Sequence, residues 1–332
     1  MKNKGVKILL IVILSMISIA LINFMIFMII NKDKDLKISL IAFGNNTELI
    51  FEKEYEPEQL DRINVDVSSS DVKIEKVDSD KIKVIAYGNK NDEIKEKIEE
   101  NELFISKENT RTFIFAMFYW SREEIIIQIP NNSDEEFKVH TSSGDIVAQD
   151  LDINNVQFST SSGEIECGNI HDGDLKSSSG NILVKNGNEV SLNASSGNII
   201  AGDFNVLAAD VSSGNIKVGK IGQGTLKSSS GKIIVESAKN LQSKASSGDI
   251  AVDNIENSCE LSTTSGNIVV EKLSITQNSS ISAKSGNVII NEKNDIYVET
   301  QTGSGNADVQ SNNRKSEVEL KITTTSGNIK VK

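Results

Sequence analysis

Aromatic residues make up only 5% of the 332 residues, and the chain has two prolines, two histidines, two cysteines and one tryptophan. So little aromatic bulk argues against a large spherical core. Arginine is almost absent from the C-terminal part, where Arg314 is the single example after residue 130. A polysaccharide lyase or hydrolase on a β-helix needs clustered carboxylates beside positive groups, and no such patch is present. His140 and His171 have no cysteine or triad partner near them and read as surface residues. The formal net charge of -12 disfavours nucleic acid and anionic lipid, both polyanions. No catalytic residue, metal ligand or cofactor motif emerges; Gly303-Ser304-Gly305 lies in a strand repeat rather than opening a helix.

What the chain does have is Ser, Asn, Gly, Lys and Ile in excess. That composition could suggest disorder, but Ile and Val recur at regular spacing, which supplies a thin, elongated core. After Lys2, Lys4 and Lys7, the run Ile8–Ile30 carries no charge and would rise about 34 Å as a helix, enough to span a bilayer. It continues well past Ser18-Ile19-Ala20, so it reads as an uncleaved anchor rather than a secretory signal. The preceding lysines place the N-terminus in the cytoplasm and the C-terminal domain outside the cell.

Five segments follow: a cytoplasmic tail (1–7), the transmembrane anchor (8–30), a juxtamembrane segment (31–59), a β-rich lead-in and solenoid cap (60–130) and solenoid repeats (131–332). In the lead-in, Ile63-Asn64-Val65-Asp66-Val67, Val72-Lys73-Ile74 and Lys81-Ile82-Lys83-Val84 alternate with period two and predict strands. Ile94 and Ile98, four apart beside Glu93 and Lys97, predict one short helix over 91–100. Pro130 closes the strand Ile125–Ile129, and Asn131-Asn132-Ser133-Asp134 makes a turn.

Glycines 144, 163, 180, 197, 214, 231, 248, 266, 286, 305 and 327 each follow a serine, mostly 17 residues apart through the centre. Such self-similarity predicts stacked units. Two residues after each glycine the chain reads Ile in nine of the eleven repeats, with Val288 and Ala307 as exceptions. Position +4 is Val, Ala, Cys or Ile, so one strand face points inward throughout. Positions −5 and −3 hold pairs such as Phe158 and Thr160 or Leu192 and Ala194, giving strand, tight turn, strand in every repeat. Glycine permits positive φ and close backbone approach, and the next residue is Asn in seven repeats, a type that turns readily and stacks in hydrogen-bonded ladders. Acids stand there only at Asp145, Glu164 and Asp249, too few for a calcium ladder. Ser68-Ser69-Ser70-Asp71-Val72 reads as a degenerate copy with Ser70 in place of glycine. Cys167 and Cys259 occupy buried apolar positions at least five rungs apart, which predicts no disulfide between them.

Two features exceed what the fold needs and form the candidate interaction surface. Position +3 should face outward, yet includes Leu183, Ile200, Ile234, Val269 and Ile289. Either another part of the chain covers this stripe, or a partner or second copy does. The run 113–120 gathers five aromatics, Phe113, Phe115, Phe118, Tyr119 and Trp120, either as a hairpin over the open core or as a tip touching membrane or partner. The last strand, Ile329 to Lys332, is expected at the solenoid edge, guarded by Lys330 and Lys332.

The recurring Thr/Ser-Ser-Ser-Gly-Asn/Asp-Ile-x-Val units, the strand ending Ile129-Pro130 and the Ser68–Ile74 unit resemble the bacterial putative-adhesin β-solenoid family, over about residues 60 to 332. The resemblance implies an exported, membrane-tethered protein without a catalytic motif; some relatives serve envelope-stress responses. The expected fold is therefore all-β, a single-chain β-solenoid with a β-rich lead-in and an N-terminal transmembrane helix. The expected function is non-enzymatic binding or adhesion to an envelope or extracellular protein or glycan. The alternative is a sensor or regulatory ectodomain acting on a neighbouring membrane protein.

Overall fold

The computed structural model describes residues 47–108, 123–132 and 134–332. The predicted anchor, 8–30, and the aromatic run, 113–120, lie outside them. Among the described residues no helix is long and apolar enough to cross a membrane. The helical content there is a single 3-10 turn, Pro57–Gln59.

All else regular is strand. The lead-in contributes β1 (Glu48–Tyr55), β2 (Arg62–Val67), β3 (Asp71–Val77), β4 (Ile82–Gly88), β5 (Glu93–Glu99), β6 (Glu102–Glu108) and β7 (Glu124–Pro130). The central repeats form β8 (Glu136–Thr141), β9 (Ile146–Thr160), β10 (Ile165–Ser177), β11 (Ile182–Ala194), β12 (Ile199–Val211), β13 (Ile216–Ser228), β14 (Ile233–Ala245) and β15 (Ile250–Ser265). The last turns comprise β16 (Ile268–Leu273), β17 (Ser279–Ser285), β18 (Val288–Lys293), β19 (Tyr297–Ser304), β20 (Ala307–Val309), β21 (Glu319–Ser326) and β22 (Ile329–Val331).

Each repeat is one rung of a parallel β-solenoid. From β9 to β15 every strand pairs in parallel with the next, with +2 on +2 and +4 on +4: Ile182 on Ile199, Val184 on Ala201. The +2 isoleucines from Ile146 to Ile268 are wholly buried, facing the −5 column of Phe158, Leu175, Leu192 and Leu226. Burial of an aliphatic side chain contributes about 1.5–3 kcal/mol, and stacking makes that contribution recur on every rung. A third inward column completes the core: Ile153, Ile170, Gly187, Phe204, Ile221, Ala238, Ile255 and Leu273 lie in register. Its volumes compensate, for a Cβ on Gly187 would fall 2.6 Å from the Phe204 ring.

The lead-in is part of the solenoid. β2 pairs in parallel with β8 and β3 with β9, so the Ser70 unit forms a full rung beneath the Gly144 rung. On its other side lie β6 and β7. Antiparallel strands then finish this end, β5 on β6, and β4 on β7 with β1 on β4. Within the segment read as juxtamembrane, β1 is thus an ordered strand.

Three expectations change. The helix expected over 91–100 is β5: a spacing of four is also a multiple of two, so Ile94 and Ile98 fit a strand face equally well. Glu100 and Asn101, with φ of 48° and 61°, form the tight turn that returns β5 onto β6. At the other end, β22 is not the edge. β21 pairs with both β17 and β19, and β22 with both β18 and β20, so the Gly327 rung is inserted between the Gly286 and Gly305 rungs. The outermost rung is therefore β19–β20, where Ala307 is exposed instead of buried. Asn312 covers part of that edge, accepting from the Val298 N–H at 2.8 Å and donating to its carbonyl at 2.9 Å. Finally, glycine at the turn serves close approach more than positive φ, as described below.

Because β19 and β20 have ladder partners only in the C-terminal rung among the described residues, deleting residues 319–332 is expected to release both. Amide hydrogen exchange would show it as lost protection across 297–309. Protection retained there would mean these strands have another partner.

Candidate binding surface

The stacked turns form one edge of the surface. A Cβ on Gly163, Gly180 or Gly231 would lie 1.8 Å from the carbonyl oxygen of the glycine one rung before it. No side chain fits at that distance, which accounts for the glycine column. Positive φ is confined there to Gly286 at 157° and Gly305 at 145°. Ser70 heads the column, and Gly144 approaches its carbonyl in the same way.

Two side-chain ladders bind the turns together. At −3, the Thr160 hydroxyl accepts from the Gly163 N–H at 3.0 Å and donates to the Gly144 carbonyl at 3.1 Å. Thr141 and Ser177 repeat the motif around Gly144 and Gly180. At +1, on most rungs the side-chain oxygen accepts the backbone N–H one rung on: Asn181 from Asn198, Asn198 from Asn215, and Asn215 from Lys232, all at 2.9 Å. Asp145 and Asp249 do the same for Glu164 and Asn267 at 2.8 Å. Those acids thus serve as ladder acceptors, and no cluster of three metal-ligating side chains occurs among the described residues. Sequence reasoning found the asparagine ladder but read −3 as merely small. The recurrence of Thr and Ser there was the available signal.

Beside the turns runs the outward +3 column. Pairing aligns Val147, Glu166, Leu183, Ile200, Lys217, Ile234, Ala251, Val269, Ile289 and then Lys330 in that order. The five candidate residues of this column therefore do share one face. Leu183 and Ile200 sit on one side of Lys217, while Ile234, Ala251, Val269 and Ile289 form an unbroken apolar run on the other. Ile200 is 46% exposed, and the rest of these apolar residues are half-buried by their own ladder neighbours. Among the described residues no element packs over the column; the strands carrying it contact their rung neighbours. At its start, burial and the nearby Glu164 and Asp145 carboxylates raise the Glu166 pKa. The five aromatic candidates, Phe113, Phe115, Phe118, Tyr119 and Trp120, lie outside the described residues.

Two grooves lie on the solenoid surface. One, of about 400 Å³, is lined by Ile153, Ile170 and Gly187 together with Asn169, Asn186 and Asn205. His171 stands on that rim, 3.0 Å from Asp172, whose pKa its hydrogen bond lowers. His140 belongs to a different groove and bonds Ser159 at 2.9 Å. The two histidines form no common site.

The chain that forms this glycine-cornered parallel solenoid is matched by a family model over residues 60–219 and again over 174–332, together covering β2 to β22. The chain belongs to the Toastrack DUF4097 family. No curated protein matches it. Among solved structures, this Toastrack chain is similar to one named a putative lipid binding protein from Parabacteroides distasonis ATCC 8503, at 20% identity and a TM-score of 0.39. That match covers 89% of this chain and 100% of the other. A putative adhesin from the same organism matches at 16% identity and a TM-score of 0.36, covering 86% and 98%. A putative adhesin from Bacteroides fragilis NCTC 9343 matches at 13% and 0.29, covering 88% and 100%.

Two measurements test this Toastrack surface. Ile200→Lys and Ile234→Lys replace outward side chains, so each should change folding stability by no more than about 0.5 kcal/mol in denaturant titration. A loss of several kcal/mol would show that the column is covered. The thiols of Cys167 and Cys259 are free and buried. Burial pushes both up, Cys259 to about 12. Both should resist alkylation in the folded chain and react on unfolding. Because the folded thiols hold their protons longer, their stabilising contribution is complete below the ordinary thiol value of about 8.5 and falls as pH rises toward 12.

Proposed function

We propose that this Toastrack chain is a non-enzymatic cell-envelope protein that displays its solenoid as a binding or adhesion surface for an envelope or extracellular protein or glycan. Residues 8–30 hold it in the membrane, with the N-terminus cytoplasmic and the repeats outside. The observation that carries the reading is the apolar run Ile234–Ala251–Val269–Ile289. It projects outward on four consecutive rungs and no described element lies over it. Contiguous apolar surface that stays partly exposed on an otherwise polar molecule marks an interaction site. The rows of turn serines and asparagines beside it supply a polar rim, the usual surround of a protein interface.

The test is sedimentation of the purified full chain, in detergent, with insoluble envelope material. Saturable binding is expected, weakened at least tenfold by Ile234→Lys combined with Val269→Lys. A parallel variant, Phe115→Ser with Trp120→Ser, shows whether the aromatic run shares the contact. No binding by folded protein would sink direct attachment. Co-purification with a membrane protein through residues 8–30 would then favour a regulatory ectodomain.

A further inference from the structure

Behind the turn of the first rung, three charged side chains meet in the interior of the cap. Lys107, near the end of β6, has a side chain 2% exposed. Asp92, in the turn between β4 and β5, is 8% exposed, and Glu123, just before β7, is 15% exposed. The Lys107 Nζ lies 2.9 Å from Asp92 Oδ2 and 2.5 Å from Glu123 Oε2. Among the described residues, one amine against two carboxylates leaves a buried cluster with surplus negative charge, a costly arrangement away from water. Converting an amine and a carboxylate into a neutral amide removes two of those charges and frees a water molecule.

We propose that Lys107 and Asp92 condense into an intramolecular amide bond, with Glu123 as the proton carrier. The surroundings are arranged for that step. Asp92 Oδ2 accepts from the Asn89 backbone N–H at 3.0 Å and from the Asn89 side-chain amide at 3.4 Å. Two donors on one oxygen stabilise the negative charge it gains when the adjacent carbon is attacked. Glu123 is itself oriented, accepting from Ser69 Oγ at 3.0 Å and from the Asn89 amide at 3.1 Å. At Gly88 a Cβ would stand 3.0 Å from Asp92 Oδ2 and 3.3 Å from Lys107 Nζ, so its absence leaves room for the two groups to close. Held contact of this kind replaces a bimolecular encounter with an intramolecular one.

The atoms balance without any added reagent. Glu123 carries one proton from the Lys107 ammonium to Asp92 Oδ1, and the freed nitrogen lone pair attacks Cγ of the now neutral Asp92 carboxyl to form the C–N bond. The charge developing on Oδ2 rests on the Asn89 donors. The nitrogen then loses a second proton to Oδ1 by way of Glu123, and the Cγ–Oδ1 bond breaks to release water. Glu123 ends as it began. The product ties β6 to the turn entering β5, an edge strand whose ladder partner is β6.

The experiment is mass spectrometry of the purified full chain, denatured and then digested. The chain is expected one water lighter than its sequence, with a branched peptide joining the segments around Lys107 and Asp92. Asp92→Asn should reach the same product by releasing ammonia. Glu123→Gln keeps the side-chain shape and should leave the chain unlinked, as should Lys107→Arg. Wild-type chain at full mass after prolonged incubation at neutral pH, with Lys107 and Asp92 both recovered free, would overturn the proposal and leave an ion pair only. Linkage undiminished in Glu123→Gln would overturn the role given to Glu123.

Discussion

The spacing between turns governs this molecule. Parallel strands stack about 4.8 Å apart, and a turn joining two such strands must repeat at the same distance. The corner therefore has no room for a Cβ, as the 1.8 Å clash at Gly180 shows. Once glycine occupies the corner, its N–H and carbonyl need partners in a crowded place; where Thr or Ser stands three residues earlier, its hydroxyl accepts from that N–H and donates to the carbonyl of the glycine one rung before. The residue after glycine carries an oxygen to the next rung's N–H. Each such bond contributes about 1 kcal/mol net, but leaving a buried donor unmet costs more, so the ladder acts chiefly to specify register.

Register in turn sets what each side chain meets. A rung never touches more than its two neighbours, so the core is a set of columns rather than a three-dimensional mosaic. Within a column, bulk can be traded between adjacent rungs, as Phe204 does with Gly187. The outward +3 column is freed from this requirement, and its apolar content has no explanation in the packing of the described chain.

Much of this was readable from the residues. The periodic Ser-Gly pairs, the inward +2 and +4 faces and the degenerate Ser70 unit all carry their meaning in one dimension, because stacking turns sequence period into spatial neighbours. Two kinds of information were not readable. One is pattern ambiguity: Ile94 and Ile98 satisfy helix and strand alike, and only the turn at Glu100–Asn101 decides between them. The other is rung order. Chain order stacks the Gly305 unit on Gly286, and its Thr300 and Ala307, against Ile322 and Ile329 in the Gly327 unit, were too slight a signal to reverse it. The Lys107–Asp92–Glu123 cluster was also hidden, because its members are 15 and 16 residues from Lys107 in a region without repeats and meet only through the cap's antiparallel folding.

The interleaved C-terminal rung also changes how the molecule bears load. In a solenoid that ends on its terminal strand, tension on the last residue peels one ladder open from the rim, bond by bond. Here a pull on Lys332 acts on β22, which is held on one side by β18 and on the other by β20. Two ladders must yield together for that strand to leave. The outermost β19–β20 rung gains nothing from this arrangement for itself, but it locks the chain end in place like a keystone course laid over the final stone.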